Sequence, residues 1–168
     1  MSRSRYDDGL RLRPPENVTI DMRGITVLGQ GPGSDAKSVT TVTGFKNVCL
    51  LGGRYLGKQD PQIVPWVVGH ATYGAGVIFT GGSGAITVEN AVIENSLQDG
   101  ITLTGGLAKD VTFGMRGTYI KNNSDDGIQN DGGKKIMFVE DSLIESKMGI
   151  SLRPGRDASA GGNSYGNY

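Results

Sequence analysis

The sequence predicts an all-β chain wound into a parallel β-helix, a solenoid of about five to six coils. An internal repeat and a composition hostile to helices lead there. Residues 86–103, 111–130 and 136–152 align as three copies of one winding. Each opens on an apolar-x-apolar strand: Ile86-Thr87-Val88, Val111-Thr112-Phe113 and Ile136-Met137-Phe138. Each continues through Val92-Ile93-Glu94-Asn95, Tyr119-Ile120-Lys121-Asn122 or Leu143-Ile144-Glu145-Ser146, and begins a third strand at Gly100-Ile101, Gly127-Ile128 or Gly149-Ile150. Ile86, Val111 and Ile136 stand 25 residues apart, a period typical of stacked units that bury their apolar faces only against one another. The 168 residues include 28 Gly and only 6 Pro without a Gly-x-y period, which excludes collagen and favours a turn-dense chain. Gly and β-branched residues interrupt every helical periodicity. Short strands that repeat without helical crossovers stack in parallel only if the chain coils.

Taken in order, residues 1–16 end in Arg13-Pro14-Pro15, which stops regular pairing and marks an arm or cap over the first coil. The solenoid is expected over residues 17–152. Its first coil holds Asn17-Val18-Thr19-Ile20-Asp21 and Ile25-Thr26-Val27-Leu28, alternating with period two, and a loop over 29–38. The second holds Asn47-Val48-Cys49-Leu50-Leu51 and Tyr55-Leu56. Residues 57–76 leave the repeat and form an inserted loop before Val77-Ile78-Phe79. Residues 153–168 are a tail or the start of a further coil. With no polar cap legible there, the expectation is a piece of a longer protein, or an open end that docks on a partner or a second copy.

Charge excludes some functions. The 17 acidic and 17 basic residues cancel and no basic block occurs, so nucleic acid and anionic membranes are not expected partners. No window suffices for a membrane span, and the basic N-terminus lacks the apolar segment of a signal peptide. Cys49, the only cysteine, lies in an apolar run and reads as a buried thiol; no disulfide can form.

Several rows should stack. Asn95 and Asn122, with Ser146 below, follow the aligned isoleucines; Asn tolerates the left-handed bend, and its amide can bond to its copy one coil away. Glu94, Lys121 and Glu145 should point outward and pair across coils. Val92, Tyr119 and Leu143 either form an outward apolar stripe or tuck in at a bend.

Counting on from Ile93 and Ile120 puts Asp99 and Asp126 in one column, about 4.8 Å apart in the stacking direction. Asp125 or a neighbour would supply a longer spacing. Carboxyl groups at such distances are the working parts of retaining and inverting glycosidases, and like charges so close raise one pKa, giving an acid and a base from identical residues. The alternative is that Asp-Gly only makes a turn, with Asp capping its own backbone and Gly supplying positive φ. The third copy reads Lys147-Met148-Gly149, without the Asp.

With Ile-x-Asn followed by Asp-Gly-Ile in stacked copies, residues 17–152 resemble the right-handed parallel β-helix superfamily with the pectin-lyase-like fold. That superfamily includes polysaccharide lyases, hydrolases, phage tailspike depolymerases and non-catalytic adhesins, so the resemblance implies the fold more narrowly than the activity. Leu97-Gln98-Asp99-Gly100 followed by Ser124-Asp125-Asp126-Gly127 is similar to the Asn-Thr-Asp-Gly and Asp-Asp motifs of polygalacturonase-like hydrolases. The resemblance makes Asp99, Asp125 and Asp126 the acid and water-activating groups. That family's next Gly-His-Gly is Lys147-Met148-Gly149 here, which points to a more distant hydrolase or a tailspike-like depolymerase. Arg153 and Arg156 would bind the carboxylates of an acidic sugar bidentately, or remain solvated. Resemblance to pectate-lyase-like enzymes makes Asp99, Asp125, Asp126 and Asp131 candidate Ca²⁺ ligands, although no cofactor is required by the pattern itself. In the inserted loop, Trp66, His70 and Tyr73 would contact sugar, or Trp66 anchors the loop.

Two functions follow. One is an enzyme, hydrolase or lyase, cleaving an acidic polysaccharide through stacked aspartates. The other is a non-catalytic glycan-binding or structural β-helix. Either suits an extracellular or virion-associated parent protein.

Overall fold

The computed structural model describes residues 5–6, 9–29, 38–57, 74–131, 134–153 and 166–167. The chain begins with β1 (Arg5–Tyr6) and β2 (Leu10–Leu12) and then makes five windings of three strands each. These are β3 (Val18–Asp21), β4 (Thr26–Leu28) and β5 (Thr40–Thr43); β6 (Lys46–Leu51), β7 (Arg54–Leu56) and β8 (Val77–Thr80); β9 (Ser83–Glu89), β10 (Val92–Glu94) and β11 (Ile101–Leu103). They continue with β12 (Thr112–Arg116), β13 (Tyr119–Lys121) and β14 (Asp126–Asp131), then β15 (Lys135–Glu140), β16 (Leu143–Glu145) and β17 (Met148–Arg153), and the tail adds β18 (Gly166–Asn167).

Equivalent strands stack into three walls. Sheet A runs β1-β4-β7-β10-β13-β16, sheet B β18-β17-β14-β11-β8-β5-β2, and sheet C β15-β12-β9-β6-β3. Every neighbouring pair is parallel except β17 with β18. The architecture is an all-β parallel solenoid, as the repeat implies, and the described residues contain no helix. It follows that none of them forms a helix long and apolar enough to cross a membrane.

Period-two alternation sends one side of each wall inward. Val27, Tyr55, Ile93 and Ile120 of sheet A meet Val77, Phe79, Ile101, Leu103 and Ile128 of sheet B and Leu50, Ile86, Val88, Phe113 and Met115 of sheet C, all buried. Each such side chain stabilises the fold by about 1.5–3 kcal/mol. The Phe45 and Phe79 rings meet edge to face at 6.0 Å.

The sequence alignment matches the register at the second and third strands, where Ile93 pairs with Ile120 and Ile120 with Ile144, and Ile101 pairs with Ile128 and Ile128 with Ile150. At the first strands it slips. Phe113, not Val111, lies across from Ile86, and Ile136 then pairs with Phe113, with a bulge after it. A two-residue slip keeps every side chain on its own face, so the apolar pattern could not reveal it.

The bends are built as expected. Asn17, Asn47, Asn90, Asn95 and Asn122 all have positive φ, between 53° and 59°. Asn122 Nδ2 donates to Asn95 Oδ1 at 2.7 Å, and Asn47 Nδ2 to Asn17 Oδ1 at 2.7 Å. Ser146 does not join this row; its hydroxyl accepts from Asn123 Nδ2 at 3.0 Å.

On the outer face of sheet A, Glu94 receives Arg54 at 2.6 Å and Lys121 at 3.9 Å. Glu94 is itself largely covered, contrary to a purely outward row. Val92, Tyr119 and Leu143 also face outward, since Ile93, Ile120 and Ile144 take the inward positions; Leu143 is 52% exposed. Cys49 is only half-buried, on the outer face between inward Val48 and Leu50, and burial raises its thiol pKa. Residues 5–6 and 10–12, from the segment expected as an arm, pair in sheets A and B. Gly166–Asn167 returns antiparallel onto the free edge of β17.

Candidate carboxylate site

The corner between sheets A and B is a short bend, and successive bends stack as strands do. Ser124 N donates to Ser96 O at 3.2 Å, Asp125 N to Gln98 O at 3.1 Å, and Met148 N to Asp125 O at 3.0 Å. Below them, Ser96 N donates to Asn123 Oδ1 at 3.0 Å, which fixes the bend one winding to the next. The stacking brings Asp99 of one winding against Asp125 and Asp126 of the next, with one oxygen from each carboxylate within 4.8 Å of the others.

The glycines after the two aspartates serve this stacking, and not through positive φ, since neither Gly100 nor Gly127 has one. A Cβ on Gly100 would lie 2.4 Å from Ile120 Cγ2 and 2.6 Å from the carbonyl oxygen of Gly127. A Cβ on Gly127 would lie 2.2 Å from Ile144 Cγ2. The glycine column leaves room for the isoleucine column. The expectation that Asp-Gly is a turn needing left-handed Gly is therefore corrected: Gly is needed for close approach. Asp99 likewise reaches beyond its own turn. Its Oδ1 accepts from Asp126 N at 3.3 Å and its Oδ2 from the Thr102 hydroxyl at 2.8 Å. Thr102, between inward Ile101 and Leu103, escaped the sequence reading because a lone Thr in a strand carries no signal of its own.

The carboxylates are enclosed. Asp99, Asp125 and Asp126 are 1%, 3% and 0% exposed. Burial is the main cause that pushes the Asp99 carboxyl up to about 7; the Thr102 hydrogen bond opposes it, and the charges of Asp126 and Asp125 add to it. Asp99 thus exchanges its proton near neutral pH.

The remaining candidates fall elsewhere. Asp131, at the far end of β14, accepts from Gln129 Nε2 at 2.7 Å and does not join the cluster. The backbone of Arg153 aligns with Asp131 on β17. Trp66, His70, Tyr73 and Arg156, and nearly all of the 57–76 loop, lie outside the described residues. In charge and in atom type the three carboxylates suit a hard cation such as Ca²⁺, to which carboxylate oxygens, backbone carbonyls and water together supply six to eight ligands.

No family model, no curated protein and no solved structure matches the chain.

Proposed function

We propose that this chain is a polysaccharide-binding β-helix that holds glycan on its walls without cleaving it. The enclosure of Asp99, Asp125 and Asp126 carries this reading. A general acid must come within about 3 Å of the glycosidic oxygen, and a carboxyl so enclosed offers no such approach. Side chains that recur on the outer face with each winding, such as Val92, Tyr119 and Leu143, suit a repeating polymer. The coil is taken as right-handed, because each return to the same sheet is a parallel crossover, and about 98% of those are right-handed.

A hydrolase is the second reading, favoured by one observation: a carboxyl titrating at about 7 beside two more carboxylates within 4.8 Å. This spacing is near the roughly 5–5.5 Å of retaining enzymes, with Asp99 as proton donor and Asp125 or Asp126 as nucleophile. Incubating the wild type and the Asp99→Asn/Asp126→Asn double variant with neutral and acidic polysaccharides, and assaying new reducing ends, separates the two. Under the proposed reading neither protein releases reducing ends and both bind alike. Release by the wild type that disappears in the double variant would refute it.

A further inference from the structure

Among the described residues the exposed large apolar side chains are Met137, Leu143 and Met148, at 53%, 52% and 36% exposure, and all three lie in the last winding. There β15 ends sheet C. It is hydrogen-bonded to β12 on one side, and among the described residues no strand lies against the other. Its six residues make it the longest such edge, since β16 has three and β17 is covered by β18. A free strand edge is a template for pairing with another chain. The register of β15 carries a bulge: Ile136 pairs with Phe113 and Phe138 with Gly114, so Met137 is the extra residue. The bulge sets both ends of the strand on one face. Lys135, beside Thr112, and Glu140, beside Arg116, point outward, whereas Ile136 and Val139 face the core with Phe113 and Met115. In a regular strand residues 135 and 140 would face opposite ways.

We propose that β15 pairs antiparallel with β15 of a second copy, joining the two C sheets across a two-fold axis normal to them. Lys135 then lies opposite Glu140 of the other copy, Ile136 lies opposite Val139, and the bulges meet at the centre. Such an axis keeps inner faces inner, so opposed residues must share a face, and these do. Opposite charges stand directly across at both ends, an arrangement that stabilises a strand pair. Glu140 has an oxygen to give: Arg116 Nε and Nη2 both donate to its Oε2, at 3.0 and 2.7 Å, which leaves Oε1. Lys135 forms no ion pair among the described residues. Charge also selects the partner edge. Head-to-tail stacking would continue the column of Asp21, Leu51, Glu89, Arg116 and Glu140 with Asp21 of the next copy, setting carboxylate against carboxylate. The opposite edge of sheet C, β3, holds Asp21 as its one charged residue and finds no complement in its own copy. An isologous contact closes at two chains, whereas head-to-tail contacts that fail to close run on into a fibre.

The test is sedimentation velocity of the full chain over a dilution series, with circular dichroism to follow folding. The wild type should pass from monomer to dimer as concentration rises and go no further. Lys135→Glu and, separately, Glu140→Lys each set like charges opposite at both ends, and each should raise the dissociation constant about tenfold. An equimolar mixture of the two variants again opposes unlike charges at both ends of the mixed pair, and should return to within about threefold of the wild type. Contacts within one chain cannot produce that recovery. If Glu140→Lys loses its fold along with the Arg116 pair, Lys135→Glu decides alone: about tenfold weaker dimerisation upholds the proposal, and dimerisation equal to the wild type's overturns it. A wild type that stays monomeric throughout, or a mixture of folded variants no tighter than its components, also overturns it. So does mass that grows past two chains, the mark of head-to-tail stacking.

Discussion

Replacing Asp99 with Asn should stabilise the protein, and by an amount that depends on pH. Asp99 is 1% exposed, and burial pushes its carboxyl from an ordinary 3.8 up to about 7. Below pH about 3.8 the group is protonated in both folded and unfolded chains, and it contributes no pH dependence. Between about 3.8 and 7 the folded chain keeps a proton that the unfolded chain releases, so stability falls as pH rises. Above about 7 the fold bears the full cost of a buried carboxylate. The difference of about three pKa units corresponds to about 4 kcal/mol. Asn escapes that cost and keeps the geometry: its carbonyl accepts the Asp126 N–H, and its amide donates to the Thr102 hydroxyl, which turns to accept. Thermal unfolding of both proteins from pH 4 to pH 8, followed by circular dichroism, should give nearly equal midpoints at pH 4. By pH 8 the variant should lead by about 8–16 °C, at about 2–4 °C per kcal/mol for a chain of this size. A constant offset across the range, or a variant that loses stability at pH 8, would refute the reasoning, since either means that Asp99 is not a buried acid with a raised pKa.

Two further substitutions probe the solenoid itself. Ile120→Ala removes a fully buried side chain stacked between Ile93 and Ile144, and denaturant unfolding should show a loss of about 2–5 kcal/mol. Asn122→Ala forces a Cβ-bearing residue without a compensating side-chain bond to hold φ at 53° and deletes the 2.7 Å bond to Asn95, for a loss of about 2 kcal/mol. Asn122→Gly, which accepts that φ freely, should lose about half as much in the same measurement.

The walls of the solenoid were legible because the signal for them is local and repeated. Ile93, Ile120 and Ile144 announce their column through identical neighbours, and Asn95 and Asn122 announce the bend because few other residues hold a left-handed φ. The first-strand register was not legible. Val111 and Phe113 are both apolar and both inward, and only packing against Ile86 and Ile136 chooses between them. The column of Asp99 and Asp126 could be counted from the sequence, but its enclosure could not. Exposure depends on what the neighbouring windings place over a side chain, and the next bend, with Asp125 and Asp126, lies outside the repeat that holds Asp99.

By itself the sequence determined that this chain coils, how its apolar faces alternate and which residues share a bend, because periodicity and left-handed tolerance are properties of residues and their spacing. Tertiary structure alone decided that the stacked aspartates are closed off. Solvation and electrostatic fields are set by atoms from several windings at once, and no single stretch of sequence contains them.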